Sequence, residues 1–547
     1  MGQFLRLTTP DPMRPLIPTA LLLLTACAQP GGPAETEGTT HDELVAFYQD
    51  WRAFHAPPAT DGVYDYSASA MAARHNALPE WQARLASFDT TGWPIPAQVD
   101  WHLVRAEMNG LDFDHRVMQP WANNPAWYVQ IWMDQSDTPE HEGPLAYGFI
   151  DVWKYDLPSQ ASELEAAIRT IPAVLAAAPT NLTGNQQDLW RMGLAVVRDQ
   201  HDDLERIRAM ADGASPTLSE AISEAQDATM AFADWLEAEL PSKTGSSGLG
   251  IENYDWYLKN VHLSPYGWAE EMQIVQRELA RSYTALRLEE NNNHGLPAQN
   301  PIDNAADFER LQNLAVDDFI AFFAAKDIVE MKPYFDPALR AQVRPFSPEG
   351  PQHFFYQVIY RDPIIMQTHW YHWIDLERMR AEPHPSPIRA NPLLYNIWDS
   401  RSEGLATAME EMMMHAGFID GRPRSRELIW ILVAQRAARA IAGLRMHSNE
   451  WTLQEASDYA VEWTPRGWMQ PNGQLVGFEQ HLYLMQPGYG TSYLTGKAQI
   501  ETLLAEYQHA TGQDFTIRRF FDHMNDTGLI PAALIQWEMT GKRPAHL

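Results

Sequence analysis

Apolar residues recur every three to four positions along most of this chain, and that spacing predicts helices. Residues 158–178 open on Pro-Ser-Gln-Ala-Ser-Glu, a capping-like start, and continue with apolar positions at helical spacing. The pattern returns over 185–212 and 216–240, and again over 303–325 and 424–447. A further helix over 264–290 is expected to begin at Ser264-Pro265, a natural helix start. Between these, Pro241 to Gly250 is rich in Pro, Gly and Ser and reads as a loop or a boundary between lobes. The aromatic and β-branched run at 352–361 predicts short strand. Neither strand–helix alternation nor a repeat of fixed length occurs. The fold class expected is mainly α, one large helical domain or two helical lobes, with few short strands.

The N-terminal stretch breaks this pattern. Arg6 and Arg14 precede an apolar run from Leu16 to Leu24, too short to span a bilayer as a helix. The run ends Leu24-Thr25-Ala26-Cys27, and an apolar residue, two small residues and a cysteine resemble the lipobox of exported lipoproteins. Met13-Arg14 with the apolar run would be a complete signal alone. An ordinary secretory signal with an incidental cysteine is the alternative. Cys27 is the only cysteine among 547 residues, which favours lipidation of Cys27. Residues 1–26 are thus expected to be removed and 27–40 to form a polar tether. Residues 41–547 would be the folded domain. Ala28 in place of Asp resembles the pattern that sends lipoproteins to the outer membrane. The expected location is the cell envelope, in the outer membrane or facing the periplasm.

Composition narrows the partners. The formal charge is −31, from 71 acidic and 40 basic residues, a field that repels nucleic acid and anionic lipid. Membrane contact is therefore expected through the lipid anchor only, with no nucleic-acid partner. A single cysteine excludes an internal disulfide. The 20 Trp, 20 Tyr and 20 Phe suit either a well-filled core or a cleft lined with rings.

Several chemistries lack their motifs: there is no GxSxG elbow, no GxGxxG after a strand and no HExxH. Gly490 to Lys497 resembles a phosphate loop, but it is one residue too long and Ala498 stands where Ser or Thr would hold magnesium. Three constellations remain. In Thr368-His369-Trp370-Tyr371-His372-Trp373, two imidazoles sit three residues apart, close enough on a helix to share a cation. Glu403, from a following helix that also bears Glu410 and Glu411, could complete two His and one carboxylate, a ligand set of catalytic zinc. Histidines packed beside Trp370 and Trp373 are the structural alternative. Arg436, Arg439 and His447 lie at offsets of 0, 3 and 11 on one helix. That stripe is either a solvated face or a set of carboxylate partners, internal or on a substrate. Finally, Gln486-Pro487-Gly488-Tyr489-Gly490-Thr491-Ser492-Tyr493 marks a tight backbone before a helix. A tyrosine there could donate to an oxyanion, or simply pack in a turn.

These motifs, in this order, resemble the bacterial domain of unknown function 885 family. Glu403-Gly404-Leu405-Ala406 comes first, then Arg436 and Arg439, and Gly443-Leu444-Arg445-Met446-His447 before Trp451-Thr452. Pro487-Gly488, Ser492-Tyr493 and Gly496 follow, then Phe521-Asp522-His523 with Gly528 and Pro531. Pro58 to Gly62, Val99-Asp100-Trp101 and Asn181-Leu182 fit the N-terminal half. The resemblance implies a helical protein with a deep central cleft, similar to metallopeptidases of the thermostable carboxypeptidase type. It implies Zn²⁺ held with Glu403, and His447 and Tyr493 at the substrate oxyanion. The chain departs from the family at the His-Glu pair that precedes the histidine segment. With His372 aligned, Met366-Gln367 takes its place, and the general base is gone.

The function expected is a lipid-anchored, extracytoplasmic, metallopeptidase-like hydrolase of peptides or small amides. His369, His372 and Glu403 would hold zinc, and Tyr493, His447 and Glu410 would serve catalysis. Arg436, Arg439 and Trp370 would bind substrate. The alternative is a binding lipoprotein that keeps the cleft without the base.

Overall fold

A computed structural model describes residues 39–547, apart from 140–141, 143–145, 158, 212, 214, 349–352 and 472–473. Cys27 and the expected signal lie outside the described residues. Of the expected tether only its last two residues are described, and there Thr40 already caps a helix. Its hydroxyl accepts from the Glu43 amide while Glu43 accepts from the Thr40 amide, starting helix His41–His55.

The long helices follow the sequence pattern closely. Gln187–Ala211 buries Trp190, Leu194, Val197, Leu204 and Ile207, one stripe at helical spacing. Pro216–Glu239 packs against it, started by the Ser215 cap and Pro216. Together with Tyr66, Trp121, Trp127 and Tyr128 they enclose the smaller of two apolar cores. The larger core surrounds Pro423–His447, which is buried on nearly every side from Leu428 to Leu444. A helix this apolar belongs in the centre of a large domain, and its two buried arginines, Arg436 and Arg439, are each paired with a buried glutamate. Trp268–Asn292 packs along it. Asp399–Ala416 packs along Tyr489–Thr511. Those two helices cross with backbones nearly touching: a Cβ on Gly404 would lie 2.5 Å from the carbonyl carbon of Gly496. Thr39–Leu547 forms one compact unit.

The mainly α class therefore stands, and three local expectations change. Residues 158–178 form two helices, Ala161–Ile168 and Ile171–Asn181, because Pro172 cannot continue the first and is placed at the start of the second. The 264–290 helix starts at Trp268, capped by Gly267, rather than at Ser264. The run expected as strand is helical over Phe354–Ile359. Phe354, Val358 and Ile359 point together into the core there, and packing overrides β propensity. The strands found are two short pairs. Ala59–Thr60 runs antiparallel to Val63–Tyr64, and Ile131–Trp132 runs parallel to Ile150–Asp151. The second pair is joined by the crossover segment 133–149. The segment 241–250 is tied down: Gly245 donates to the Asn185 carbonyl and accepts from the Gln187 amide. Among the described residues no helix is long and apolar enough to cross a membrane.

Candidate metal centre

A cavity of about 290 Å³ opens where a loop and several helices meet. The loop 133–149 contributes Asp137 and Glu142. Helix Ile364–His369 ends at His369, and after a break at Trp370 helix Tyr371–Ala381 carries His372. Glu403 stands in Asp399–Ala416, and Arg439 in Pro423–His447. Gln474–Met485 supplies Glu479 and Tyr483. Tyr489 and Tyr493 open the next helix, whose entry turns on Gly488 at φ +89°, a left-handed conformation that favours glycine.

Among the described residues, Asp137, His369 and His372 form a group whose ligand atoms all lie within 4.8 Å of one another. The two rings meet edge to face at 5.0 Å. Glu403 is outside this trio but touches it: its Oε2 lies 3.1 Å from His372 Nε2. His372 Nδ1 is 3.1 Å from the Ser402 hydroxyl. His369 Nδ1 lies 3.1 Å from Glu410. Arg436 grips the same Glu410 with two bonds of 2.7 and 2.8 Å. Arg436 Nη2 also lies 3.2 Å from His369 Nδ1, so this nitrogen donates to Glu410 when it carries the ring proton and accepts from Arg436 when the proton sits on Nε2.

The charges follow from these neighbours. Burial alone would lower the His372 ring, but the Glu403 carboxylate, with Asp137 nearby, lifts it to about 9. Burial would raise Glu403, but His372 more than reverses this, holding it at about 2. His369 goes the other way, because burial and Arg436 outweigh Glu410 and lower it. Burial, Asp137 and Glu403 push Glu142 up to about 8. The Tyr489 hydroxyl lies 2.6 Å from Glu403 and 3.1 Å from Glu142. Having one proton, it donates to the nearer Glu403.

The structure brings together only part of the expected site. His369, Glu403, Arg439 and Tyr493 line the cavity, and His372 sits against Glu403. Glu410 and Arg436 are fully buried behind His369. Arg439 pairs with Glu479, so both arginines serve internal carboxylates and neither occupies a solvated face. His447 is elsewhere: its Nε2 bonds the Tyr483 carbonyl and its ring packs on Tyr254. Trp370 is buried in the core, and Trp373 lines the cavity instead. Gln367, which the sequence reading set against a family glutamate, is fully buried, with no hydrogen bond to either amide atom among the described residues and no part in the lining. Sequence reasoning missed Asp137 and Glu142; their one signal was the density of acids in Asp134-Gln135-Ser136-Asp137-Thr138-Pro139-Glu140-His141-Glu142. Tyr489 was within a chosen motif but was not singled out.

The chain belongs to a bacterial family described as a protein of unknown function (DUF885), whose model matches residues 53–330 and 377–539. The unmatched 331–376 carries Gln367, His369 and His372. No curated protein matches the chain. Two solved structures share the fold. One, from Shewanella oneidensis, is described as a candidate lipoprotein of unknown function. It is 15% identical, covers 92% of this chain and 100% of its own, and gives a TM-score of 0.64. The other, from Colwellia psychrerythraea, is likewise described as a candidate lipoprotein. It is 12% identical, covers 92% and 98%, and scores 0.63.

Proposed function

We propose that this is a lipid-anchored, cell-envelope hydrolase of peptides or related amides. In this reading it works with a zinc ion held by His369, His372 and Asp137, with Glu403 adjoining. The convergence of two buried imidazoles and a carboxylate carries the proposal. The donor types fit: two imidazoles and a carboxylate oxygen suit zinc once His372 gives up its proton, and Glu410 and Ser402 behind the two rings supply the orienting contacts that metal-binding histidines require. When bound, the ion would supply Lewis-acid polarisation of the scissile carbonyl. Glu142, poised near neutrality on the cavity wall, takes up and returns the proton that Glu410, locked by Arg436, cannot. Tyr493 donates to the developing oxyanion. Arg439, 4.6 Å over its ring, favours that donation. His447 has no place in this site. The sequence ending in Cys27 and the descriptions of the two structural relatives support anchoring to the envelope.

Gln367 favours a second reading, in which the cavity binds peptides without cleaving them. Metal analysis and a peptide library separate the two. The hydrolase reading expects about one zinc per chain and turnover that Glu142→Gln abolishes while zinc is retained. Zinc without turnover leaves the binding reading, and absence of zinc removes the hydrolase. Incorporation of labelled palmitate, lost in Cys27→Ser, checks the anchor.

A further inference from the structure

The described chain begins at Thr39, and an uncharged loop is fastened to that point. Trp93 Nε1 donates to the Thr39 carbonyl at 3.0 Å, and the Asp89 amide donates to the Thr39 hydroxyl at 2.9 Å. Residues 90–99 carry no charged side chain, in a chain where 20% of residues are charged. Thr91, Gly92, Pro94 and Pro96 are exposed there, while Trp93 and Ile95 are half-buried against the larger core. Further half-buried rings stand beside them. Phe88 meets Trp93 at 6.4 Å, and Trp101 donates to the Leu85 carbonyl at 3.0 Å. Two arginines lie on these rings. Arg84 sits over Trp81 at 4.8 Å, and Arg105 over Trp101 at 5.3 Å. Neither pairs with a carboxylate among the described residues, although Glu80 lies one turn before Arg84. Arg105 Nε is buried without a hydrogen bond, and the charge that acts on this guanidinium is Arg543, not an acid. Of the acids at this end, Asp100 is held by Arg389, and Glu43 and Asp89 accept from backbone amides; Asp42 is exposed. Half-buried rings with basic side chains stacked on them, around an uncharged loop, suit the boundary between membrane and water. Chain length brings that boundary close. From Cys27 to Thr39 the backbone reaches at most about 40 Å even fully extended. The whole chain, at −31, is repelled by an anionic surface, so the end with an uncharged loop and two free arginines is the one that such a surface accepts.

We infer that the face around Thr39 rests on the phospholipid surface. Trp93 and Ile95 enter the boundary between headgroups and acyl chains, and Arg84 and Arg105 meet lipid phosphates. The face adds a second contact to the anchor and gives the protein a set orientation on the membrane. The inference rests on the lipid anchor of the proposed function and on no part of its chemistry.

The test uses lipid-anchored protein on vesicles of phosphatidylcholine with a minor share of phosphatidylglycerol, the acyl chains brominated near the headgroups. Thr91→Cys, at an exposed position of the loop, carries a fluorophore, and Ala209→Cys, exposed beside the smaller core, carries it as a control. Acylation of Cys27 leaves the introduced thiol the only one. The bromines should quench the label at 91 and leave the label at 209 bright. Arg84→Glu, at an exposed position that folding does not depend on, should lower the ratio of inserted to free loop about fivefold, the worth of one basic residue at a charged surface. Ile95→Ser should lower it as well. Equal quenching at 91 and 209, or quenching at 91 that neither variant reduces, overturns the assignment while the anchor stands. Protein that washes off the vesicles and takes label on Cys27 removes the anchor, and this face with it.

Discussion

His369 and His372 are three residues apart, both buried, and pushed in opposite directions. Each faces a buried glutamate. Glu410, beside His369, is already claimed by Arg436, so burial wins and the ring is held neutral. Glu403, beside His372, has only a tyrosine hydroxyl as its other partner, so the ring takes a proton. The lesson is that a histidine's charge here is decided by whether a third residue has already neutralised its carboxylate, and not by depth. One ring is a ready ligand. The other holds a proton that an incoming cation must displace.

The largest effect should come from removing what makes the two differ. Arg436→Leu strips Glu410 of its partner, and breaking a buried pair costs about 3–5 kcal/mol in urea unfolding. The His369 ring should then titrate upward like His372. A loss under about 1 kcal/mol would show that Glu410 does not depend on Arg436.

Next comes the pH dependence of metal-free protein. His372 is raised from 6.5 to about 9, so its stabilisation is complete below 6.5 and lost as pH rises through 9. Glu403 is lowered from 4.5 to about 2, so its share is complete above 4.5 and lost on acidification through 2. This pair should therefore contribute most between pH 4.5 and 6.5. Unfolding free energy should fall by about 3 kcal/mol from pH 6.5 to 9, and that slope should vanish in Glu403→Gln. An unchanged slope in the variant would separate the two residues. Tyr489→Phe should cost about 1.5–3 kcal/mol in urea unfolding, the net value of a hydrogen bond to an ionised carboxylate. A smaller effect is expected on zinc affinity. Zinc added at pH 7 should release about one proton from His372, read by calorimetry in buffers of different ionisation heat. Ser402→Ala should weaken zinc binding about tenfold.

How far the sequence disclosed this site depends on what each residue sits on. Glu403, Arg436, Arg439 and Tyr493 ride long helices whose period is written over many turns, so both their elements and their motifs were legible. His447 shows the limit. Eleven residues from Arg436 returns to nearly the same side of the helix, but about 16 Å further along its axis. It therefore meets Tyr254 and the Tyr483 carbonyl, beyond the cavity. Periodicity gives the side of a helix and says nothing of which neighbour waits at each level. The break at Trp370 has no Gly or Pro to announce it, and it sends Trp370 inward and Trp373 to the cavity. Asp137 and Glu142 lie in irregular backbone, where a run of acids reads as solvated surface until long-range packing folds it over the histidines.

The two-rung parallel clip of Ile131 with Ile150 and Trp132 with Asp151 has a consequence for how such a protein diversifies. The two strands run parallel, so the chain leaves the ladder at one end and rejoins it at the other, about 10 Å away, and the 133–149 segment is a crossover. Two of the acids at the cavity, Asp137 and Glu142, arrive on that crossover. Its C-terminal flank is tied to the scaffold by the Tyr147 amide, which donates to the Tyr66 hydroxyl, and by the Tyr147 hydroxyl on His55, so a rewritten crossover must keep Tyr147 while the acids before it vary.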